Sequence, residues 1–183
     1  ICYGDTQGIL EYHYQKSGLL FVISCMLMIV SLLMMVYAVM LFRKNEEWNA
    51  LFSLGMAFFC TSFWLFCVNA MFQFVTTTYF LDGIWGFLVT MILPFPYMYY
   101  MNLQQKRRYQ KGYALVSCLL VVDFVVMTTL HFTNTIDFQR TQPVMNSIMG
   151  VCILYTLLTI VLDVIHKKTK GYKYVLMGMS GFC

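Results

Sequence analysis

The side chains able to do chemistry are few, and most sit where water is scarce. Asp123 lies near the middle of an apolar run from Tyr113 to Phe132, with no lysine or arginine at comparable depth in the sequence. A carboxyl there is expensive unless it faces other protein groups. It reads as a neutral acid hydrogen-bonded to another helix; a proton relay would need a second titratable group at that depth, and none is visible. Asp163 lies near the inner end of the following run, where Lys167, four residues on, could pair with it. Asn69 and Gln73 are also four apart, so they share one helix face, and both donate and accept hydrogen bonds. Asp82 enters the next run with Trp85 one turn later, and His131, Asp137, Arg140 and Gln142 flank the same outer surface. Together these residues could form an outward-facing polar cup for a ligand. They could equally form interhelical hydrogen bonds of about 0.6 kcal/mol each. In Leu93-Pro94-Phe95-Pro96 the two prolines remove backbone hydrogen bonds to Thr90 and Ile92, which predicts a kink, either static or working as a hinge.

Enzyme chemistry finds no constellation. His13, His131 and His166 fall at different heights, without metal-ligand spacing. The sequence contains no glycine-rich phosphate loop, nucleophile elbow or catalytic Cys and His pairing. No lysine lies inside a complete apolar run, so a Schiff-base chromophore is unsupported. Neither a catalytic residue, a metal nor a cofactor is expected in this stretch.

The elements that would hold these residues follow from composition. Hydrophobic residues make up 60% and charged residues 11% of the 183, against roughly a quarter charged in soluble domains. That excess of apolar surface calls for a lipid solvent. A bilayer core about 30 Å thick needs about 20 apolar helical residues. Windows of that kind run at about 18–42, 49–74, 79–101, 113–132 and 144–165, and a sixth opens at 174–183. The expected fold is all-α: a polytopic membrane helical bundle of five complete spans and the start of a sixth. Residues 1–17 would form an extracytoplasmic juxtamembrane segment and 18–183 the transmembrane domain. Trp48, Tyr79, Tyr97, Tyr113 and Tyr174 cluster near span ends, as an interfacial belt does. Of seven cysteines, Cys25, Cys60, Cys67, Cys118 and Cys152 fall inside the spans and read as packed thiols.

Loop charge sets the expected orientation. Arg43 and Lys44; Lys106, Arg107, Arg108 and Lys111; and Lys167, Lys168, Lys170 and Lys173 occupy alternate loops, leaving only Lys16 and Arg140 on the other side. By the positive-inside rule the N-terminus is outside. The net charge of +4 is thus a matter of topology, and no nucleic-acid partner is expected. Six crossings from an outside start end outside, so a cytoplasmic output would require a seventh helix beyond Cys183.

The order of certain residues resembles a known family. Leu51-Phe52-Ser53-Leu54-Gly55 leading to Trp64, then Asn69 to Phe74, Trp85 and Leu93-Pro94-Phe95-Pro96, look like the seven-helix sensor region that precedes GGDEF diguanylate cyclase domains in Gram-positive bacteria. Tyr3-Gly4-Asp5 and Ile136-Asp137-Phe138-Gln139-Arg140 agree with it. The resemblance implies a receptor of the bacterial plasma membrane, homodimeric, with an unknown extracellular ligand and a cytoplasmic enzyme making cyclic di-GMP. Family members commonly carry Glu before the position of Asn69, where this chain has Cys67 and Val68. A transporter or channel bundle, with Asp123 carrying a proton or substrate, is the alternative; only one interrupted helix speaks for it, where transporters usually show a matched pair.

Overall fold

The computed structural model describes residues 6–42, 48–69 and 79–165. Gly4-Asp5, Gln73, the basic residues Arg43, Lys44 and 167–173, and the sixth run at 174–183 lie outside the described residues. Every regular element among those described is helical: α1 Thr6–Leu41, α2 Trp48–Val68, α3 Tyr79–Ile92, α4 Pro94–Gln104, α5 Gln110–Phe132 and α6 Phe138–Ile165. Five stretches are long and apolar enough to cross a membrane: Ser17–Leu41, Trp48–Val68, Ile84–Gln104, Gln110–Phe132 and Phe138–Ile165. The shortest has 21 residues, about 31 Å of helix. Large apolar side chains point away from the protein throughout; Leu19 is 74% exposed and Leu115 71%. Water would not tolerate that surface, and lipid does.

The chain forms two units, residues 1–100 and 101–183. The first is built on the pairing of α1 with α2. Lipid gives helices no hydrophobic reason to associate, so small residues that let backbones approach decide the contact. On α1 the buried positions Ser24, Ser31 and Ala38 recur every seven residues, a straight seam on one face. Each serine hydroxyl donates back to its own helix, Ser24 to the Leu20 carbonyl at 2.6 Å and Ser31 to the Met28 carbonyl at 2.8 Å, so neither needs water. α2 buries Ser53, Gly55, Ala57, Cys60 and Ser62, and of these Gly55 meets α1 while Ser53 turns to the other side. A Cβ on Gly55 would come 2.9 Å from Met35 Cγ and 3.3 Å from the Ser31 carbonyl oxygen, which makes this glycine the point of closest approach. Phe21 stacks on Phe66 toward one end of the pair, and Phe42 meets Trp48 edge-on at the other. A groove of about 420 Å³ beside this seam, lined by Leu32, Met35, Val36, Val39, Met40 and Phe52, is wholly apolar and belongs to the lipid-facing surface.

The proline motif divides its span as expected. α3 ends at Ile92, Leu93 forms a turn, and Pro94 opens α4. Leu93 still donates to the Val89 carbonyl at 2.9 Å, so the interruption is one residue wide. Just beyond it α4 is tied to α2. Ser53 donates to the Pro96 carbonyl at 2.8 Å, and Tyr97 Oη lies 3.0 Å from Thr61 Oγ1. Because Thr61 gives its proton to the Ala57 carbonyl, Tyr97 is the donor in that pair.

The second unit pairs α5 with α6. α5 buries Tyr113, Val116, Leu120, Asp123 and Met127, alternating steps of three and four. α6 buries Cys152, Thr156, Thr159 and Asp163 with the same rhythm. Both helices start earlier than the apolar windows suggest, at Gln110 and Phe138. Pro143 is accommodated because its missing bond, to the Gln139 carbonyl, falls in the polar opening turns of α6. Between the helices Asn134 takes a left-handed φ of 54°, and Asn134 and Thr135 donate to the His131 and Leu130 carbonyls, closing α5 in a Schellman motif.

Replacing Gly55 by Leu should therefore lower the detergent-unfolding stability of the chain by about 1–3 kcal/mol through overpacking. Gly86, with open space around its would-be Cβ, is the control. Its replacement by Ala should be neutral or stabilising, up to about 1 kcal/mol. Equal losses at the two positions would refute the close approach.

Candidate functional site

The polar groups of the second unit gather where α4 gives way to α5. α4 ends in a Schellman motif: Lys106 N–H donates to the Leu103 carbonyl and Arg107 N–H to the Asn102 carbonyl, each at 2.9 Å. Glycine is the usual residue at the left-handed position of this motif. Here Lys106 occupies it with φ 52°, and Arg107 follows with φ 57°. Two consecutive non-glycine residues in this region cost roughly 1–2 kcal/mol each. Backbone strain of this kind persists only where surrounding contacts hold it.

What holds it is Asp163. Its side chain is fully buried, and Oδ1 accepts hydrogen bonds from Arg108 Nη1 at 3.1 Å and from the Tyr109 hydroxyl at 3.2 Å. A carboxylate removed from water requires such donors, and the turn supplies them from two successive residues. Partial burial, then the hydrogen bond and negative charge of Asp163, push the Tyr109 phenol above its ordinary value; the Arg108 guanidinium opposes the shift. Tyr109 thus remains a donor at neutral pH.

One turn back along α6, Thr159 anchors the same segment. Its hydroxyl donates to the Thr156 carbonyl at 2.8 Å, so its oxygen acts as acceptor for its other neighbours. Gln105 Nε2 donates to it at 3.0 Å and the Tyr113 hydroxyl at 2.9 Å. Tyr155 meets Tyr113 edge-on and reaches the Tyr109 carbonyl at 3.5 Å. A Cβ on Gly112 would fall 1.8 Å from Tyr155 Oη, so glycine gives that ring its place. Gln105 is 1% exposed, and its Oε1, like Asp163 Oδ2, accepts nothing from the described residues. The buried side of the site is rich in acceptors.

The residues singled out in the sequence meet different fates. Asp163 pairs with Arg108, 55 positions away; Lys167, the partner expected from the sequence, lies outside the described residues. Asp123 is buried on the α5 seam as expected, but makes no hydrogen bond among the described residues, so the expected partner on another helix is not found there. Of the cup residues in the first unit, Asn69 lies past the end of α2 rather than on the helix face expected for it, is buried, and its Nδ2 donates to the Ser17 carbonyl at 3.2 Å; Trp85 is half exposed, and Asp82 lies in the first turn of α3. In the second unit His131 Nδ1 comes within 3.9 Å of Asp137 Oδ1, and its ring stacks on buried Phe138 at 4.0 Å. Asp137 and Arg140 are exposed beside it. No group of three or more metal-ligating side chains occurs among the described residues. Arg108, Tyr109, Gln105 and Thr159 are absent from the sequence-derived site. A signal was present: Cys152, Thr156, Thr159 and Asp163 recur at steps of four, three and four, a stripe that an apolar span would not keep on its lipid face.

No known protein family, curated protein or solved structure matches the chain. The chemistry rests on the geometry alone. A buried carboxylate, a guanidinium half in and half out, and a strained turn between them form a latch joining two elements of one unit.

Among the described residues, removing Arg108 leaves Asp163 with Tyr109 alone. Arg108→Ala should cost about 2 kcal/mol in unfolding, below the 3–5 typical of fully buried pairs because the guanidinium is partly solvated. Asp163→Ala should cost more than Asp163→Asn, which keeps an acceptor. The contribution of Tyr109, whose folded-state value is raised, is complete below about pH 10 and is lost as pH rises through the raised value. A Tyr109→Phe variant with an unaltered alkaline unfolding profile would contradict this.

Proposed function

We propose that this chain is the sensor and signal-relay module of a bacterial receptor, lying in the plasma membrane with its N-terminus outside and acting on a cytoplasmic diguanylate cyclase as a homodimer. The observation that carries the proposal is the latch at Asp163. A receptor needs an element with two discrete arrangements whose balance a signal can tip. The left-handed Lys106-Arg107 pair favours release of the turn, and the Arg108 and Tyr109 bonds to Asp163 favour retention. The alternation of basic segments in the sequence supports a cytoplasmic position for this turn, where an output would read it. The resemblance of the residues around Trp64, Trp85 and Leu93-Pro94-Phe95-Pro96 to the GGDEF-linked sensors supports the identity of that output. The single-residue break at Leu93 supplies a hinge in the span leading into the latch.

A transport reading draws on Asp123, buried in the span without a hydrogen-bond partner among the described residues. The two separate cleanly. For a sensor, Asp163→Asn and Arg108→Gln in the full-length protein change cellular cyclic di-GMP several-fold, and Pro94→Ala with Pro96→Ala locks it at one level across conditions while membrane insertion persists. Unchanged cyclic di-GMP in all of these variants would discard the receptor. For a transporter, Asp123→Asn abolishes proton or solute flux in vesicles and leaves cyclic di-GMP alone.

A further inference from the structure

The turn that closes the latch carries more charge than the latch uses. Lys106, Arg107, Arg108 and Lys111 fall within six residues, all exposed. Arg108 gives one N–H to Asp163 and keeps its side chain 31% exposed; its remaining N–H groups make no hydrogen bond within the described residues. Lys106, Arg107 and Lys111 have no ion-pair or hydrogen-bond partner for their side chains among those residues. Among the described residues, Asp163 is the acid that meets the turn, and it is already engaged. Three positive charges therefore stand without a counter-charge among the described residues, on a left-handed backbone at 106 and 107 held by its Schellman bonds and by Asp163.

The position of this frame identifies its counter-charge. The turn lies between Gln104 and Gln110, the terminal residues of two membrane-length stretches, which puts its cations at headgroup height. Phosphate is the anion of that layer. Arg108, oriented through Nη1, presents its free N–H groups as a fork suited to phosphate oxygens, and the lysines act as point charges beside it. A soluble acidic partner would have to reach a shallow turn flanked by lipid-facing Leu115 and Leu119, 71% and 41% exposed, whereas a phospholipid fills both roles at once, its chains against those side chains and its phosphate on the turn.

We infer that the Lys106–Lys111 turn binds the phosphate of an acidic phospholipid headgroup, with Arg108 shared between that phosphate and Asp163. This rests on the five apolar stretches being membrane spans and does not depend on any signalling output. Lipid occupancy would strengthen the hold on Arg108 from outside while Asp163 holds it from inside, so the membrane's anionic content would bear on the same latch.

The test is lipid retention by the full-length protein, purified in detergent and titrated with phosphatidylglycerol, phosphatidylcholine or inorganic phosphate, and read by native mass spectrometry. Phosphatidylglycerol should bind at least tenfold more tightly than phosphatidylcholine. That preference should fall about fivefold for each of Lys106→Gln, Arg107→Gln and Lys111→Gln. These three residues are exposed, so the variants keep the fold. Substituting Lys167, Lys168 and Lys170 by Gln should leave the preference intact. Equal binding of the two lipids would overturn the inference, as would loss of the preference to the same degree in the Lys167 group, which would mark a general charge effect. Displacement of the lipid by millimolar inorganic phosphate would assign the turn to a free anion and overturn the lipid source.

Discussion

Burying the carboxylate of Asp163 at the end of α6 imposes conditions on everything around it. A charge with no access to water must find donors inside the protein, and α6 has none to give, since its own N–H groups are spent on the helix. The donors come from the segment after α4, which has to reverse direction within a few residues to deliver Arg108 and Tyr109 to one oxygen atom. That reversal explains why Lys106 and Arg107 accept left-handed backbone angles that neither residue prefers. The neighbouring bonds from Gln105 and Tyr113 to Thr159 follow from the same docking, because they hang from the same two strips of chain.

The two units solve helix association differently. In the first, Ser24, Ser31, Ala38 and Gly55 bring backbones close, and attraction comes from packing over a large area. The Ser24 and Ser31 hydroxyls on that seam bond back to their own helix, while Asn69 crosses from the end of α2 to the Ser17 carbonyl and Ser53 and Tyr97 join α2 to α4. In the second, polar side chains cross from one helix to another and fix the register. The proline break stands between these regimes, stapled to α2 through Ser53 and Tyr97 on the side of the first unit.

The legible parts of the sequence were those where one residue type repeats. Apolar runs marked the spans to within a few residues, except where α2 ended at Val68 instead of running on to residue 74, where polar opening turns hid the starts of α5 and α6, and where the helix of α1 continued back to Thr6 through residues that read as a mixed surface segment. Leu93-Pro94-Phe95-Pro96 announced the break, since proline removes a hydrogen bond wherever it stands. Asp163 was visible, but its partner was not. An i, i+4 pair with Lys167, which lies outside the described residues, is the contact that helical spacing suggests, whereas Arg108 becomes a neighbour only when the turn before α5 is brought against α6.

By itself, then, the sequence determined that the chain is helical and apolar enough to cross a membrane about five times, roughly where the apolar stretches lie, and which connecting segments carry positive charge. These follow from backbone hydrogen bonding and the dislike of apolar surface for water, both of which act residue by residue. Only the tertiary structure decided which polar groups meet, that Asp163 is held by Arg108 and Tyr109, and that the basic turn is strained in order to hold it. Those depend on a carboxylate satisfying itself across 55 residues of chain, and distances of that kind exist only after the helices have packed.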